Sequence, residues 1–377
     1  MRRVYLNAHE VGRFGWFAHV LRVDFLLLLL LGTVVSLGLV VLWSASGQDP
    51  DMMRRQLIRL SLSIFVLMVV ARIPPSLMRH FAGYLFWGTA LLLVAVLVVG
   101  DVGKGAQRWL DLGVIRFQPS EFAKLTVPIA VAAYISKMPT PPSIMRSASA
   151  VAIALVPAVL IVKQPDLGTA ILVAVSGLAV VFMSGLTWWA IGAVIVALAS
   201  AAPLYFKYVM HDYQRQRVLT LFEPSSDPLG SSYHIIQSKI AVGSGGLYGK
   251  GYLQGTQSQL QFLPERHTDF IFAVIGEELG LIVGILLLML YLAIIIRCLV
   301  IAASSQDSFS RLLAGALTVS FFVYVFVNIG MVIGVLPVVG VPLPLISYGG
   351  TSMVSLAIAF GMIMSIANDK QVVQRRD

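Results

Sequence analysis

Long apolar runs separated by short polar turns fill most of the chain, and one polar insertion interrupts them. The runs fall at roughly 25–44, 57–73, 80–100, 121–137, 148–162, 168–185, 187–206, 271–296, 311–335 and 346–366. A helix needs about 20 predominantly apolar residues to cross a bilayer. Most runs reach that length; the second, fifth and sixth are short or interrupted. Over residues 207–270, charge, glycine and amide side chains replace the apolar pattern. The pattern predicts an all-α, polytopic integral membrane protein of about ten transmembrane helices with one large extracytoplasmic loop. No internal repeat at a fixed period and no low-complexity segment divides it. One membrane domain is expected: tail 1–24, helices one to seven over 25–206, loop 207–270, helices eight to ten over 271–366, and tail 367–377.

Composition supports this reading. The chain is 58% hydrophobic and only 12% charged, with a mean hydropathy of +0.86, where soluble domains carry about 25% charged residues. A soluble multidomain enzyme is excluded. The net charge of +9 does not imply nucleic acid, because the basic residues punctuate hydrophobic runs rather than form one patch. The single cysteine, Cys298, rules out an intrachain disulfide and a thiolate metal site. No cleavable signal is evident, since the first apolar run follows a polar, basic tail and is long enough to span. Lys and Arg are denser in the tails and in the turns 72–79, 137–146 and 297–311 than on the opposite side, which places both termini in the cytoplasm. Topology alone does not require Arg54, Arg55, Arg59, Lys104, Arg108, Arg116, Lys124 and Lys163 on the outer side. Something anionic at that face would.

Four stretches carry candidate chemistry. Gln118-Pro119-Ser120-Glu121 reads as a helix start, with Glu121 favourable to the N-terminal dipole. Lys124 lies at i+3 from Glu121, one turn into an apolar helix. The pair is either a structural ion pair or the wall of a cationic pocket approached by Arg108 and Arg116. Lys163 to Thr169 breaks two apolar runs with almost no loop and leaves Asp166 near membrane depth, as a helix cap, a cavity residue or both. Within the insertion, Tyr213 to Val218 resembles a short basic helix and Glu223 to Gly230 a turn cluster. Tyr233 to Ala241 patterns as an interfacial amphipathic helix with Lys239 on its polar side. The run Gly243 to Gly251 has the composition of a phosphate cradle but not the P-loop spacing, and a flexible hinge is the better reading. Asp269 sits directly against the apolar run that follows, where a carboxylate is costly to place. His267 would orient it or cap the next helix, and Glu277 and Glu278 require polar partners. The breaker-rich segment from Leu336 to Ser352 suggests a broken or re-entrant stretch that closes on a lipid or a partner.

Taken together, Gly-Ala-x-Arg-Trp-x-x-Leu-Gly (105–113), Gln-Pro-Ser-Glu-x-x-Lys (118–124), Gln-Pro-Asp-Leu-Gly-Thr (164–169), Gly-Ser-Gly-Gly-Leu-x-Gly-Lys-Gly (243–251), Leu-Pro-Glu-x-His-Thr-Asp-Phe-Ile-Phe (263–272) and Pro-Leu-Ile-Ser-Tyr-Gly-Gly-Thr-Ser (344–352) resemble the SEDS family (shape, elongation, division and sporulation). The resemblance runs from about residue 25 to 366. The short N-tail and Ser258 to Arg266 favour its rod-shape branch over its division branch.

The resemblance implies a multi-pass inner-membrane glycosyltransferase that polymerises lipid II into glycan strands outside the membrane during elongation. It also implies a class B penicillin-binding protein as transpeptidase partner. An α-linked donor and a β-1,4 product imply one inverting displacement of undecaprenyl pyrophosphate. Asp269 is then the expected base toward the acceptor hydroxyl. Lys124, Arg108 and Arg116 are the expected cations for the leaving pyrophosphate, with Glu121 orienting Lys124. Asp166, Lys239 and His267 complete the expected substrate-binding set. A divalent cation, Mg²⁺ or Mn²⁺, is compatible with the pyrophosphate, with Asp166 and Asp269 as possible ligands. Two rivals remain at this stage: a lipid-linked precursor flippase and a noncatalytic scaffold for a transpeptidase.

Overall fold

Asp24 accepts from the Leu27 amide at 2.9 Å and starts α1 (Phe25–Ala45), a helix apolar on every side. In the computed structural model the described residues are 23–103, 106–111, 116–137, 141–185, 233–260, 262–263 and 265–373, with scattered positions between 186 and 232. The expected span 187–206 and the segments 213–218 and 223–230 lie outside the continuously described residues.

α2 (Pro50–Val70) begins earlier than the apolar run that announced it. Asp49 accepts from the Asp51 amide at 2.8 Å and Pro50 occupies the first turn, so Arg54, Arg55 and Arg59 ride on the helix rather than precede it. α3 (Pro75–Val99) leads into three short strands, β1 (Asp101–Gly103), β2 (Ala106–Asp111) and β3 (Arg116–Phe117), paired antiparallel in the order β1-β2-β3. The described residues are mostly helical, as expected, and this small sheet is an addition the pattern did not predict. Its strands are too short for an alternating pattern to show in the sequence.

α4 (Pro119–Ile135), α5 (Ile144–Val162) and α6 (Leu167–Met183) follow, with α4 buried along most of its length against α3, α5 and α6. Beyond them lie α7 (Tyr233–Ser244), the single turn α8 (Thr256–Gln259), α9 (Ile271–Glu278), α10 (Gly280–Ser304), α11 (Ser308–Val332) and α12 (Thr351–Val373). Among the described residues, six helices (α1, α3, α5, α10, α11 and α12) are long and apolar enough to cross a membrane. α1 and α10 leave large side chains such as Leu29 and Met289 more than half exposed, as lipid-facing surfaces do. The core runs between α4, α6, α11 and α12.

The expected single span 271–296 is two helices. Gly280 takes a φ of +78°, which separates α9 from α10. Glu277 and Glu278, 0% and 2% exposed, hold the 249–260 segment at this break. Glu277 accepts from Lys250 Nζ at 2.8 Å and caps α8 through the Gln257 and Ser258 amides at 2.8 and 3.1 Å. Glu278 accepts from Ser44 Oγ on α1, the Leu253 amide and Ser258 Oγ.

The glycine run is neither a hinge nor a phosphate cradle. Its amides are spent on the end of α9: Lys250 N donates to the Glu277 carbonyl at 2.9 Å and Gly251 N to that of Glu278 at 3.1 Å. A Cβ on Gly245 would stand 1.9 Å from the Gly276 carbonyl oxygen, and one on Gly249 2.1 Å from that of Glu278. Gly245→Ala is therefore expected to cost about 1–3 kcal/mol as an overpacked contact, read as a lowered Tm in detergent. An unchanged Tm would show that this backbone contact yields.

Candidate active site

The first turn of α4 places Glu121 and Lys124 on one face, each 7% exposed. Lys124 Nζ donates to Glu121 Oε1 at 2.6 Å. Glu121 Oε2 accepts from Ser355 Oγ of α12 at 2.7 Å. Lys124 also donates to the hydroxyl of Tyr324 on α11, and its Nζ lies 4.7 Å from that ring's centroid. Three helices thus converge on one ammonium. The two side chains form an ion pair; Glu121 also lies on the wall of the cavity that Arg108 lines, and Lys124 borders a smaller crevice.

Asp166 is 6% exposed and caps α6, accepting from Thr169 N at 3.3 Å and Thr169 Oγ1 at 2.9 Å. Its Oδ2 also accepts from Gln118 Nε2 at 3.3 Å and lies 3.7 Å from Arg108 Nε. Arg108 Nη2 donates to the Pro165 carbonyl, while its buried Nε makes no hydrogen bond within the described residues. Arg116 opens β3, and its side chain lies outside the described set.

Asp269 is half-buried just before α9. The segment that follows α11 folds back over it. Asn328 Nδ2 donates to the Asp269 carbonyl at 2.9 Å and to the Val341 carbonyl at 2.6 Å. Ser347 Oγ donates to the Thr268 carbonyl, and Tyr348 N to that of His267 at 2.8 Å. Tyr291 OH on α10 holds the Pro344 carbonyl at 2.6 Å. The breaker-rich stretch thus closes on residues 267–269 of its own chain. Asp269 Oδ2 would lie 3.4 Å from a Cβ placed on Gly340.

Beside these pieces lies a cavity of about 950 Å³, which Asp269 adjoins through Gly340. Arg59, Arg108, Gln118, Glu121, Asp166, Tyr324, Gly340, Pro342, Thr351 and Ser355 line it, with Leu62, Phe122, Leu172 and Ile358 supplying apolar wall. Leu172, Tyr324 and Ser355 also border an apolar crevice of about 40 Å³ together with Lys124, Phe321 and Phe360. His267 stands edge-on to Tyr348, with ring centroids 6.0 Å apart, and the Arg59 guanidinium lies 4.5 Å from the Tyr348 ring centroid. Lys239 is exposed on α7, its stem folded over Gly334, and it does not line this cavity.

Sequence reading missed Tyr324, Ser355 and Arg59 as wall residues. Arg59 had a signal, the unexplained basic excess on one side. Tyr324 and Ser355 had none, being single polar groups inside apolar helices.

Among the described residues no group of three or more His, Cys, Asp or Glu side chains could hold a metal ion. Asp166 is already taken by Arg108, Gln118 and Thr169. The arrangement sets the Arg108 guanidinium in the cavity wall, Lys124 at the adjoining crevice and Asp269 beside Gly340.

Residues 19–372 match the cell cycle protein family that groups FtsW, RodA and SpoVE. The chain is 54% identical over 350 residues to the peptidoglycan glycosyltransferase MrdB of Escherichia coli K12, covering 93% of this chain and 94% of that one. It superposes on a chain from a peptidoglycan synthase complex, solved to show how polymerization and crosslinking are coordinated, with a TM-score of 0.81, 31% identity and coverage of 92% and 98%. The rod shape determining protein RodA of Thermus thermophilus gives a TM-score of 0.71 at 31% identity, with coverage of 92% and 97%.

Proposed function

The chain belongs to the FtsW, RodA and SpoVE family of cell cycle proteins, and from that premise we infer that it extends glycan strands from lipid II with Asp269 as general base. It is a peptidoglycan glycosyltransferase of the rod-shape type. The observation that carries the mechanism is the single cavity whose wall joins Arg108, Glu121 and Asp166 to Gly340 beside Asp269.

Asp269 takes the proton of the acceptor 4-hydroxyl as its oxygen attacks the donor anomeric carbon. The bond to undecaprenyl pyrophosphate breaks in line, giving inversion and a β-1,4 link. Pyrophosphate leaves as an anion, so no general acid is needed. Lys124, Arg108 and Arg116 meet its charge, and the Arg108 Nε left without a hydrogen bond suits such a ligand. Glu121, Ser355 and Tyr324 fix Lys124; Asp166 fixes Arg108. His267 serves at the margin of the substrate, and Lys239, off the cavity wall, is left out of the site. A divalent ion, Mg²⁺ or Mn²⁺, would arrive with the pyrophosphate rather than be held by the protein.

In this reading the chain is one domain of about ten transmembrane helices with a large extracytoplasmic loop. Both termini are cytoplasmic, the cavity faces outward in the inner membrane, and the partner is a class B penicillin-binding protein. The polyprenyl tail lies along the apolar wall by Leu62, Phe122 and Ile358.

Polymerisation in detergent micelles tests this, because micelles offer no second compartment to cross. Glycan strands formed there from purified lipid II, with the partner present, support the enzyme. No strands in micelles, together with movement of lipid II across liposomes, would leave a flippase. Arg108→Gln is expected to lower kcat/KM about 10–100-fold, the worth of one charge-assisted contact; unaltered kcat/KM would remove Arg108 from the site.

A further inference from the structure

At the opposite end of the helices lies a second groove, of about 500 Å³. Measured along α11 from Ser308 to Tyr324, it is about 24 Å from the Lys124 cluster. Arg79, His80, Lys137, Asp307 and Asp369 line it, drawn from the ends of four helices. We propose that this groove binds a phospholipid whose head group joins a phosphate to a primary ammonium. The site lies outside the polymerising machinery, and its test does not depend on that activity.

The charges are of both signs. Arg79 lies 3.7 Å from Asp307, whose Oδ2 is engaged in capping α11 through Ser310 N and Oγ at 3.0 Å each. Lys137 and Asp369 form no ion pair among the described residues. Lys137 and Arg79 therefore offer cations to a phosphate, and Asp369 offers a carboxylate to an ammonium. Pro75 and Ser76 of the first turn of α3 also line the groove, where the positive end of the helix dipole favours an anion.

The groove also meets an apolar surface. Directly after His80, α3 exposes Phe81, Tyr84, Trp87 and Leu91 at 44, 74, 70 and 70%. The rings of His80 and Phe81 meet edge to face at 5.0 Å, and those of Phe81 and Tyr84 lie 6.1 Å apart. Tyr and Trp in that position mark the interface of a bilayer. A head group in the groove would lay its acyl chains along this face, a geometry that a soluble anion would not use.

The test is binding of short-chain phospholipids to the delipidated full chain in detergent, followed by native mass spectrometry. The probes are dihexanoyl phosphatidylethanolamine, phosphatidylglycerol and phosphatidylcholine, with phosphoethanolamine as the tail-free control. The ethanolamine lipid should bind best, with Lys137→Gln weakening it about five-fold and Asp369→Asn erasing its preference over choline, as loss of one partly exposed charge contact would. Both changes are at exposed positions, so folding should survive, and an unchanged Tm confirms it. Equal binding of the three lipids, wild-type binding by both variants, or a preference for glycerol would overturn the proposal. Equally tight phosphoethanolamine would replace the lipid with a soluble ligand and also overturn it.

Discussion

Lys124→Met is expected to lower glycan synthesis about 10²–10³-fold, the loss typical of removing one preorganised donor from a developing negative charge. It should also destabilise the fold by about 3–5 kcal/mol, because Glu121 would remain buried with only Ser355 Oγ donating to it. The two effects separate in a double variant. Glu121→Gln with Lys124→Met removes both charges at nearly constant volume and should recover most of the lost stability, since replacing a buried ion pair is often neutral. Activity should not recover, because the cation is still missing. A double variant that regained both would mean the pair is purely structural.

Glu277→Ala should release the segment over residues 249–260. The carboxylate is fully buried and gathers four donors: Lys250 Nζ, Thr256 Oγ1 and the amides of Gln257 and Ser258. Removing it strands two amides and leaves the Lys250 ammonium to Thr256 Oγ1 and solvent, at about 1–3 kcal/mol for each amide. Limited proteolysis in detergent should then cut between Lys250 and Gln259, where the wild type resists, and Tm should fall. Glu277→Gln keeps one acceptor oxygen and should fall between the two. Unchanged protease resistance in Glu277→Ala would show that Glu278, with its own contacts to Ser44 and Leu253, suffices.

Several features of the fold were legible because they rest on local rules. Asp166, read as a helix cap, caps α6, and Asp24 and Asp49 follow the same rule at α1 and α2. Glu121 and Lys124 at i+3 on an apolar helix had to meet one another or a cavity; they pair, with Glu121 on the cavity wall and Lys124 on the adjoining crevice. The demand of Glu277 and Glu278 for partners was likewise readable. Their partners were not, because these come from α1 and from a segment some twenty residues earlier.

The same limit hid the break at Gly280, inside a run apolar enough to continue as one helix. The glycine run failed as a hinge because its glycines serve close backbone approach to α9, which only the tertiary structure reveals. Tyr324 meets Lys124 across 200 positions of the chain and Ser355 meets Glu121 across 234, beyond any periodicity. Lys239 carried the right charge in the right insertion, yet its helix turns it away from the cavity.

The most direct measurement is glycan-strand synthesis from purified lipid II by Asp269→Asn beside the wild type, with the penicillin-binding partner present. Both proteins must show the same Tm and the same capture of the partner. With Asp269 as the base, the variant is expected to lose polymer at least 10²-fold while the complex persists. Undiminished polymer from a folded, partnered Asp269→Asn would contradict that role and move the search for the base elsewhere around the cavity.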